Sequence, residues 1–69
     1  MDLKWEDGFA VSVKIIDSTV ILSANKEGLK SLANHLNALS EESTDSHIHL
    51  DKYNSLEDDS SELIIERIS

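Results

Sequence analysis

Residues 25–40, NKEGLKSLANHLNALS, decide the fold, because they form the one stretch with a clear helical period. Their apolar residues recur at spacings of three and four, which places them on one side of a helix. Asn25 can cap the first turn, and Glu27 lies near the positive helix end. Such a helix is not stable alone in water, so its apolar stripe must pack on the rest of the chain. The predicted stripe is Leu29, Leu32, Ala33, Leu36 and Leu39, with Lys26, Lys30, Asn34, Asn37 and His35 outside it.

Four β-strands are predicted around this helix. Residues 9–16 and 19–24 alternate in polarity and are rich in β-branched side chains, and the intervening Asp17-Ser18 predicts a tight hairpin turn. Residues 47–52 and 62–68 follow the helix, after the polar links 40–46 and 53–61. The order β-β-α-β-β predicts a single α+β domain over residues 1–69, with two layers: one helix on a mostly antiparallel four-stranded sheet. A parallel pair between the second and third strands is also allowed. The expected buried face is Val11, Val13, Ile15, Val20, Leu22, Ile48, Leu50, Leu63 and Ile65.

The opposite sheet face is expected to contact water. It mixes polar side chains with apolar ones, as one-sided sheets commonly do. Such a face also suits contact with a partner or with a second copy of the chain, so a homodimer is a second interpretation of it. The apolar residues concerned are Ile16, Ile21, Ile64 and Ile68.

The beginning of the chain contributes less to the prediction. Residues 1–8 indicate either a short edge strand or an irregular lead-in, with Trp5 covering one end of the core. No signal peptide is visible, no apolar run is long enough to span a membrane, and there is no cysteine. We therefore expect a cytoplasmic protein.

Negative charge is the clearest global property of the chain. Fourteen acidic residues against six basic ones give a net charge of −8. Nucleic acid and anionic membranes would be repelled, whereas a basic protein would be attracted. Eight of the acidic residues lie between Glu41 and Glu62, where Lys52 is the sole basic residue. The alternative is that these charges only keep the loops soluble.

The pattern His47-x-His49-x-Asp51 is the one group that suggests a metal site. Residues two apart on a strand share a face, but their side chains stand ~7 Å apart, which is wide for one ion. Surface histidines are therefore favoured, and we expect no metal and no cofactor. No nucleophile or phosphate-loop motif is present, so we expect no catalytic residue and no enzyme.

Several short motifs follow one another along the chain: Asn25-Lys26-Glu27-Gly28-Leu29, Leu32-Ala33 with Leu36, His47-Ile48-His49-Leu50-Asp51, Leu56-Glu57-Asp58, and Ser61-Glu62-Leu63-Ile64-Ile65-Glu66. Together they resemble the immunity protein 32 family of bacterial polymorphic toxin systems. The resemblance covers roughly residues 20–68. It implies a small α+β protein without enzymatic activity that neutralises a toxin by binding it. Many toxins of such systems are basic nucleases, which an acidic inhibitor would suit. Gly28, His47, His49, Glu62 and Leu63 match the family pattern and carry over as structural or interface positions.

Charge and resemblance together predict an immunity-type protein that binds a basic toxin domain through an acidic surface. The alternative is a small metal-binding or homodimeric structural module. The helix, with Lys26 and Lys30 outward, is expected to form the back of the molecule. The predicted partner-binding residues are Glu41, Glu42, Asp45, His47, His49, Asp51, Glu57, Asp58 and Asp59.

Overall fold

The computed structural model describes residues 3–69, and one helix, α1, spans Lys26–Ser40. Asn25 caps it as predicted, since its Oδ1 accepts a hydrogen bond from the Gly28 N–H at 2.8 Å. The same side chain accepts from the Ala10 N–H at 3.0 Å and donates to the Gly8 carbonyl at 2.9 Å. The helix start is therefore tied to the segment that leads into the first strand.

The first hairpin pairs β1 (Val11–Ile16) with β2 (Thr19–Ala24) in antiparallel register. The predicted turn is confirmed: Asp17 and Ser18 have φ values of 49° and 66°, the left-handed region that a two-residue hairpin turn of type I′ requires. Ile16 and Thr19 close the hairpin, and the pairing ends at Val11 opposite Ala24.

The second hairpin pairs β3 (His47–Leu50) with β4 (Leu63–Glu66), again antiparallel. Ile48 faces Ile65, and Leu50 faces Leu63. Ile64 is exposed while Leu63 and Ile65 pack against the core, which confirms the expected buried side of the last strand. The α+β class and the β-β-α-β-β order are confirmed as well.

The four strands form two separate two-stranded sheets and not the continuous sheet that the sequence suggested. The outer edge of β1 is occupied by the connection between β3 and β4. The Glu57 N–H donates to the Val11 carbonyl at 2.9 Å, and the Ser61 N–H donates to the Val13 carbonyl at 2.7 Å. A loop backbone thus takes the edge where a third strand would pair.

The hydrophobic core is smaller than the predicted face and lies at the root of the first hairpin. Ile15, Val20 and Leu22 were expected inside, yet they are 60%, 61% and 46% exposed, because the tip of the hairpin extends beyond the core. Leu56, in the loop, is buried in the core instead. The buried apolar residues are Val11, Val13, Leu32, Leu39, Ile48, Leu50 and Leu56.

The buried side of the helix also differs from the predicted stripe. Leu29, Ala33 and Leu36 are exposed, whereas Ser31 and His35 are almost completely buried. The reason is that the N-terminal segment packs along α1 through hydrogen bonds. Ser31 Oγ accepts from the Glu6 N–H at 2.8 Å, and His35 Nε2 donates to the Lys4 carbonyl at 2.9 Å. A pattern of apolar residues cannot indicate such polar packing.

Trp5 covers the core as predicted. Its ring stacks on Phe9 and meets His35 edge-on, with 4.3 Å between ring centroids in both pairs. This lead-in segment is irregular over its described residues; Met1 and Asp2 lie outside the described part of the chain.

Gly28 allows the first turn of α1 to approach the first hairpin. A Cβ atom at this position would lie 2.6 Å from the Ala10 carbonyl oxygen and 2.9 Å from a methyl group of Val11. Both distances are shorter than real contacts allow, so the close approach depends on glycine.

Candidate functional site

The outer face of the second hairpin brings predicted site residues together. Because Ile48 and Leu50 point to the core, the alternate residues of β3 point outward, and His47 and His49 are exposed. Their cross-strand partners are Glu66 and Ile64. The two histidines therefore share one exposed surface with a carboxylate and an apolar side chain.

His49 lies between two carboxylates at one end of this face. Its Nε2 is 3.8 Å from Asp51 Oδ2 and 3.7 Å from Glu62 Oε2. Each of the three residues has one potential metal-ligand atom, and these three atoms lie within 4.8 Å of one another. Of the three residues in the pattern His47-x-His49-x-Asp51, only His49 and Asp51 belong to this cluster, and Glu62 is its third member.

Backbone hydrogen bonds fix the orientation of Asp51. Its Oδ1 accepts from the N–H groups of Tyr53 and Asn54 at 2.9 and 3.0 Å. Asn54 Nδ2 donates to the His49 carbonyl at 3.0 Å. This turn leaves Asp51 Oδ2 3.8 Å from the imidazole of His49, so the cluster can interact with a cationic group.

The loop that follows α1 carries the predicted residues Glu41, Glu42 and Asp45 at the other end of the hairpin. The Asp45 N–H donates to the Arg67 carbonyl at 2.9 Å, and the Arg67 N–H donates to the Ser46 carbonyl at 2.9 Å. The Arg67 guanidinium also hydrogen-bonds to the Glu42 carbonyl. Main-chain contacts thus hold this loop, while the Glu41 and Asp45 side chains are exposed and Glu42 is half-buried.

The loop that carries Glu57, Asp58 and Asp59 runs beside β1. Its main chain is bonded to Val11 and Val13, and Ser60 Oγ accepts from the Val13 N–H at 3.1 Å. All three acidic side chains are exposed. With Ser12, Lys14 and Ser60 they line a shallow depression next to the first hairpin.

The two acidic loops lie at opposite ends of the second hairpin. One precedes β3 and contacts the residue after β4, and the other belongs to the connection from Leu50 to Leu63. A four-residue strand is ~13 Å long, which is the approximate spacing between these ends. We use the name acidic face for the predicted partner-binding residues of these two loops and of the β3 segment together: Glu41, Glu42, Asp45, His47, His49, Asp51, Glu57, Asp58 and Asp59.

Charge is divided unequally along the chain. Residues 41–69 contain nine acidic and two basic residues, a net charge of −7, whereas residues 1–40 contain five and four, a net charge of −1. The negative charge therefore belongs to the second hairpin and its loops, one of which, at residues 57–59, runs beside the first hairpin, whose own residues are close to neutral.

Comparison with protein-family models decides the family. The model of immunity protein 32 matches residues 19–68, which is most of the chain. The chain belongs to the immunity protein 32 family. The resemblance seen in the short motifs is thereby confirmed. Searches of the curated proteins and of the solved structures gave no match.

The name of the immunity protein 32 family suggests an immunity protein, and such a family implies a toxin protein as its partner. Immunity proteins are generally not enzymes. No helix within residues 3–69 is both long and apolar enough to cross a membrane.

Sequence reasoning did not group Glu62 with His49. The register of the second hairpin would have been needed to group them. Pairing Leu50 with Leu63 places Glu62 opposite Asp51, the residue that follows β3. That register depends on how a long connection closes, which periodicity does not reveal.

Proposed function

We propose that this immunity protein neutralises a basic bacterial toxin domain by direct binding through the acidic face. The proposal depends most on one observation: residues 41–69 carry a net charge of −7, while residues 1–40 carry −1. A basic partner would be steered to one side of the molecule.

The acidic face also has a suitable construction for binding. Main-chain hydrogen bonds hold both acidic loops, and side chains such as Asp45, Asp58 and Asp59 project into solvent. Loops held in this way lose little conformational entropy on binding, which favours affinity. The exposed Ile64 lies among the polar groups and offers an apolar contact near the centre.

We also propose that the protein acts in the cytoplasm. The absence of cysteine is compatible with that reducing compartment.

Charge reversal tests the proposal. In the triple variant E57K/D58K/D59K, we expect the affinity for the cognate toxin domain to fall by about 100-fold or more, because attraction becomes repulsion. Isothermal calorimetry measures the affinity, and survival of toxin-expressing cells measures neutralisation.

The matched control is E6K/D7K/D17K, which makes the same change in net charge with exposed residues of the neutral half. It should bind within about threefold of the wild type, apart from a small loss of long-range steering. Equal losses in both variants would show that total charge, and not the acidic face, determines binding. A salt-insensitive association rate would also contradict the electrostatic part of the proposal.

A second candidate function is binding of a divalent metal ion by His49, Asp51 and Glu62. It is favoured by the convergence of their donor atoms within 4.8 Å. Zinc ligands lie ~2 Å from the ion and hence ~3.3 Å from each other, so the separations of 3.7 and 3.8 Å from His49 Nε2 need only small side-chain shifts.

Zinc titration followed by NMR of the histidine rings tests this candidate. If zinc binds, His49 should shift at stoichiometric zinc, and His49→Gln should abolish binding. His47→Gln should retain it, because His47 lies outside the cluster. No shift of the His49 ring at stoichiometric zinc would end this candidate.

A further inference from the structure

The first hairpin has two edges, and its turn determines which backbone groups face outward. A two-residue turn makes Ile16 and Thr19 a hydrogen-bonded pair, and such pairs then alternate along the strands. The groups of Val11 and Val13 should therefore point away from β2, and their bonds to Glu57, Ser60 and Ser61 agree.

The same rule applied to β2 directs the N–H and carbonyl groups of Val20, Leu22 and Ala24 to the other edge. Among residues 3–69, no backbone hydrogen bond reaches that edge of β2, and no strand pairs with it. One edge of the hairpin is thus covered by a loop, and the other is open.

The open edge lacks the features that natural proteins use to prevent strand pairing. β2 reads TVILSA, without charge and without proline, and it has six residues paired without a bulge. Val20 and Leu22 are 61% and 46% exposed, so apolar side chains accompany the free backbone groups. An edge of this kind is a template for another strand.

We propose that a second copy of this chain pairs with this edge, β2 against β2 in antiparallel orientation about a two-fold axis. The symmetric register places Leu22 opposite Leu22 of the second copy, and Val20 opposite its Ala24. The two hairpins then form one four-stranded sheet, and the exposed Ile15, Val20 and Leu22 of both copies become neighbours on one face.

Charge favours a second copy over a basic toxin at this edge. β2 is uncharged, and residues 1–40 carry a net charge of only −1, so a basic partner gains little there. In the dimer, the Glu57–Ser61 loops of the two copies lie outside the two β1 strands. Five strand spacings of ~4.8 Å separate them by ~24 Å, which exceeds the screening length of ~8 Å at physiological salt. The acidic faces therefore do not oppose pairing and stay open to the toxin.

Sedimentation equilibrium of the full chain from about 10 μM to about 1 mM tests the proposal. We expect the average mass to rise towards twice that of the monomer. Leu22→Lys should give a monomer throughout this range, because like charges would meet at the two-fold axis. Ile21→Lys is the matched control: it lies on the opposite sheet face, and its N–H already pairs with Lys14. It should stay dimeric.

Val20→Pro provides a second disruption that does not depend on charge. It removes an N–H that points to the open edge, so no hydrogen bond within the chain is lost. Hydrogen exchange locates the contact directly: the amides of Val20, Leu22 and Ala24 should become protected as concentration rises, whereas Thr19 and Ile21 should be protected at every concentration.

A wild-type chain that stays monomeric at about 1 mM would overturn the proposal. A dimer that survives both Leu22→Lys and Val20→Pro would also overturn it. Toxin binding by the Leu22→Lys monomer would be retained, since the acidic face is unchanged, so failure here is distinct from failure of the proposed function.

Discussion

The two hairpins have the same antiparallel pairing but divide apolar and charged residues differently. The second hairpin buries Ile48 and Leu50 on one face and exposes His47 and His49 on the other. The first hairpin buries only its root, at Val11 and Val13, and its tip is exposed on both faces. Stability thus depends on the whole inner face of the second hairpin but on only the root of the first.

The largest expected effect comes from Ile48→Ala, on the inner face of the second hairpin. Ile48 is 2% exposed, so removing most of its side chain leaves a cavity and should lower the free energy of unfolding by about 4 kcal/mol. Ile64→Ala, on the outer face of the same hairpin, should change it by less than about 0.5 kcal/mol. Urea unfolding followed by circular dichroism measures both, and similar losses would contradict the division between the faces.

Asn25→Ala, at the root of the first hairpin, should lower the free energy of unfolding by about 2 kcal/mol. The substitution removes the helix cap and two further hydrogen bonds, to Ala10 and Gly8. Asn25→Asp is the control, because a carboxylate keeps both acceptor interactions and loses only the donor to Gly8. It should restore at least half of the lost unfolding free energy; an Asp variant as unstable as the Ala variant would show that the cap is not the main contribution.

The smallest expected effect concerns the tip of the first hairpin. Ile15→Ala should lower the free energy of unfolding by less than about 0.5 kcal/mol, because the side chain is largely exposed. Val13→Ala, two residues away on the same face, removes fewer atoms. It should nevertheless lower the free energy of unfolding by about 2 kcal/mol, because Val13 is 1% exposed. Chemical denaturation below about 10 μM avoids any contribution from pairing through β2. If the order of the two losses were reversed, the core would extend to the tip.

The sequence allowed the elements to be predicted well because their signals are local. Asn25 marks the helix start, Asp17-Ser18 marks the turn, and alternation marks the strands; all three are confirmed. The interior was predicted less well. Ser31 and His35 are buried because they form hydrogen bonds with the main chain of Glu6 and Lys4, which are distant in sequence. A prediction based on hydrophobicity alone therefore placed Leu29 and Leu36 inside, although both are exposed.

The candidate site shows the same limit. The acidic residues and the two outward histidines could be named from composition and period, because exposed charge needs no specific packing. The proximity of Glu62 to His49 could not, since it depends on the register set by a long connection. The open edge of β2 could not be predicted either, because periodicity does not show that the loop at residues 57–61 occupies the edge of β1.

That loop has a consequence for how such proteins diverge. Apart from the bond to the Ser60 hydroxyl, its hydrogen bonds with β1 come from the main-chain N–H groups of Glu57 and Ser61, which every residue except proline possesses. The side chains at positions 57–59 can therefore change without loss of these bonds. In the proposed binding mode, selection for recognition of a different toxin would alter this surface while the fold persists, through substitutions that are nearly neutral for folding.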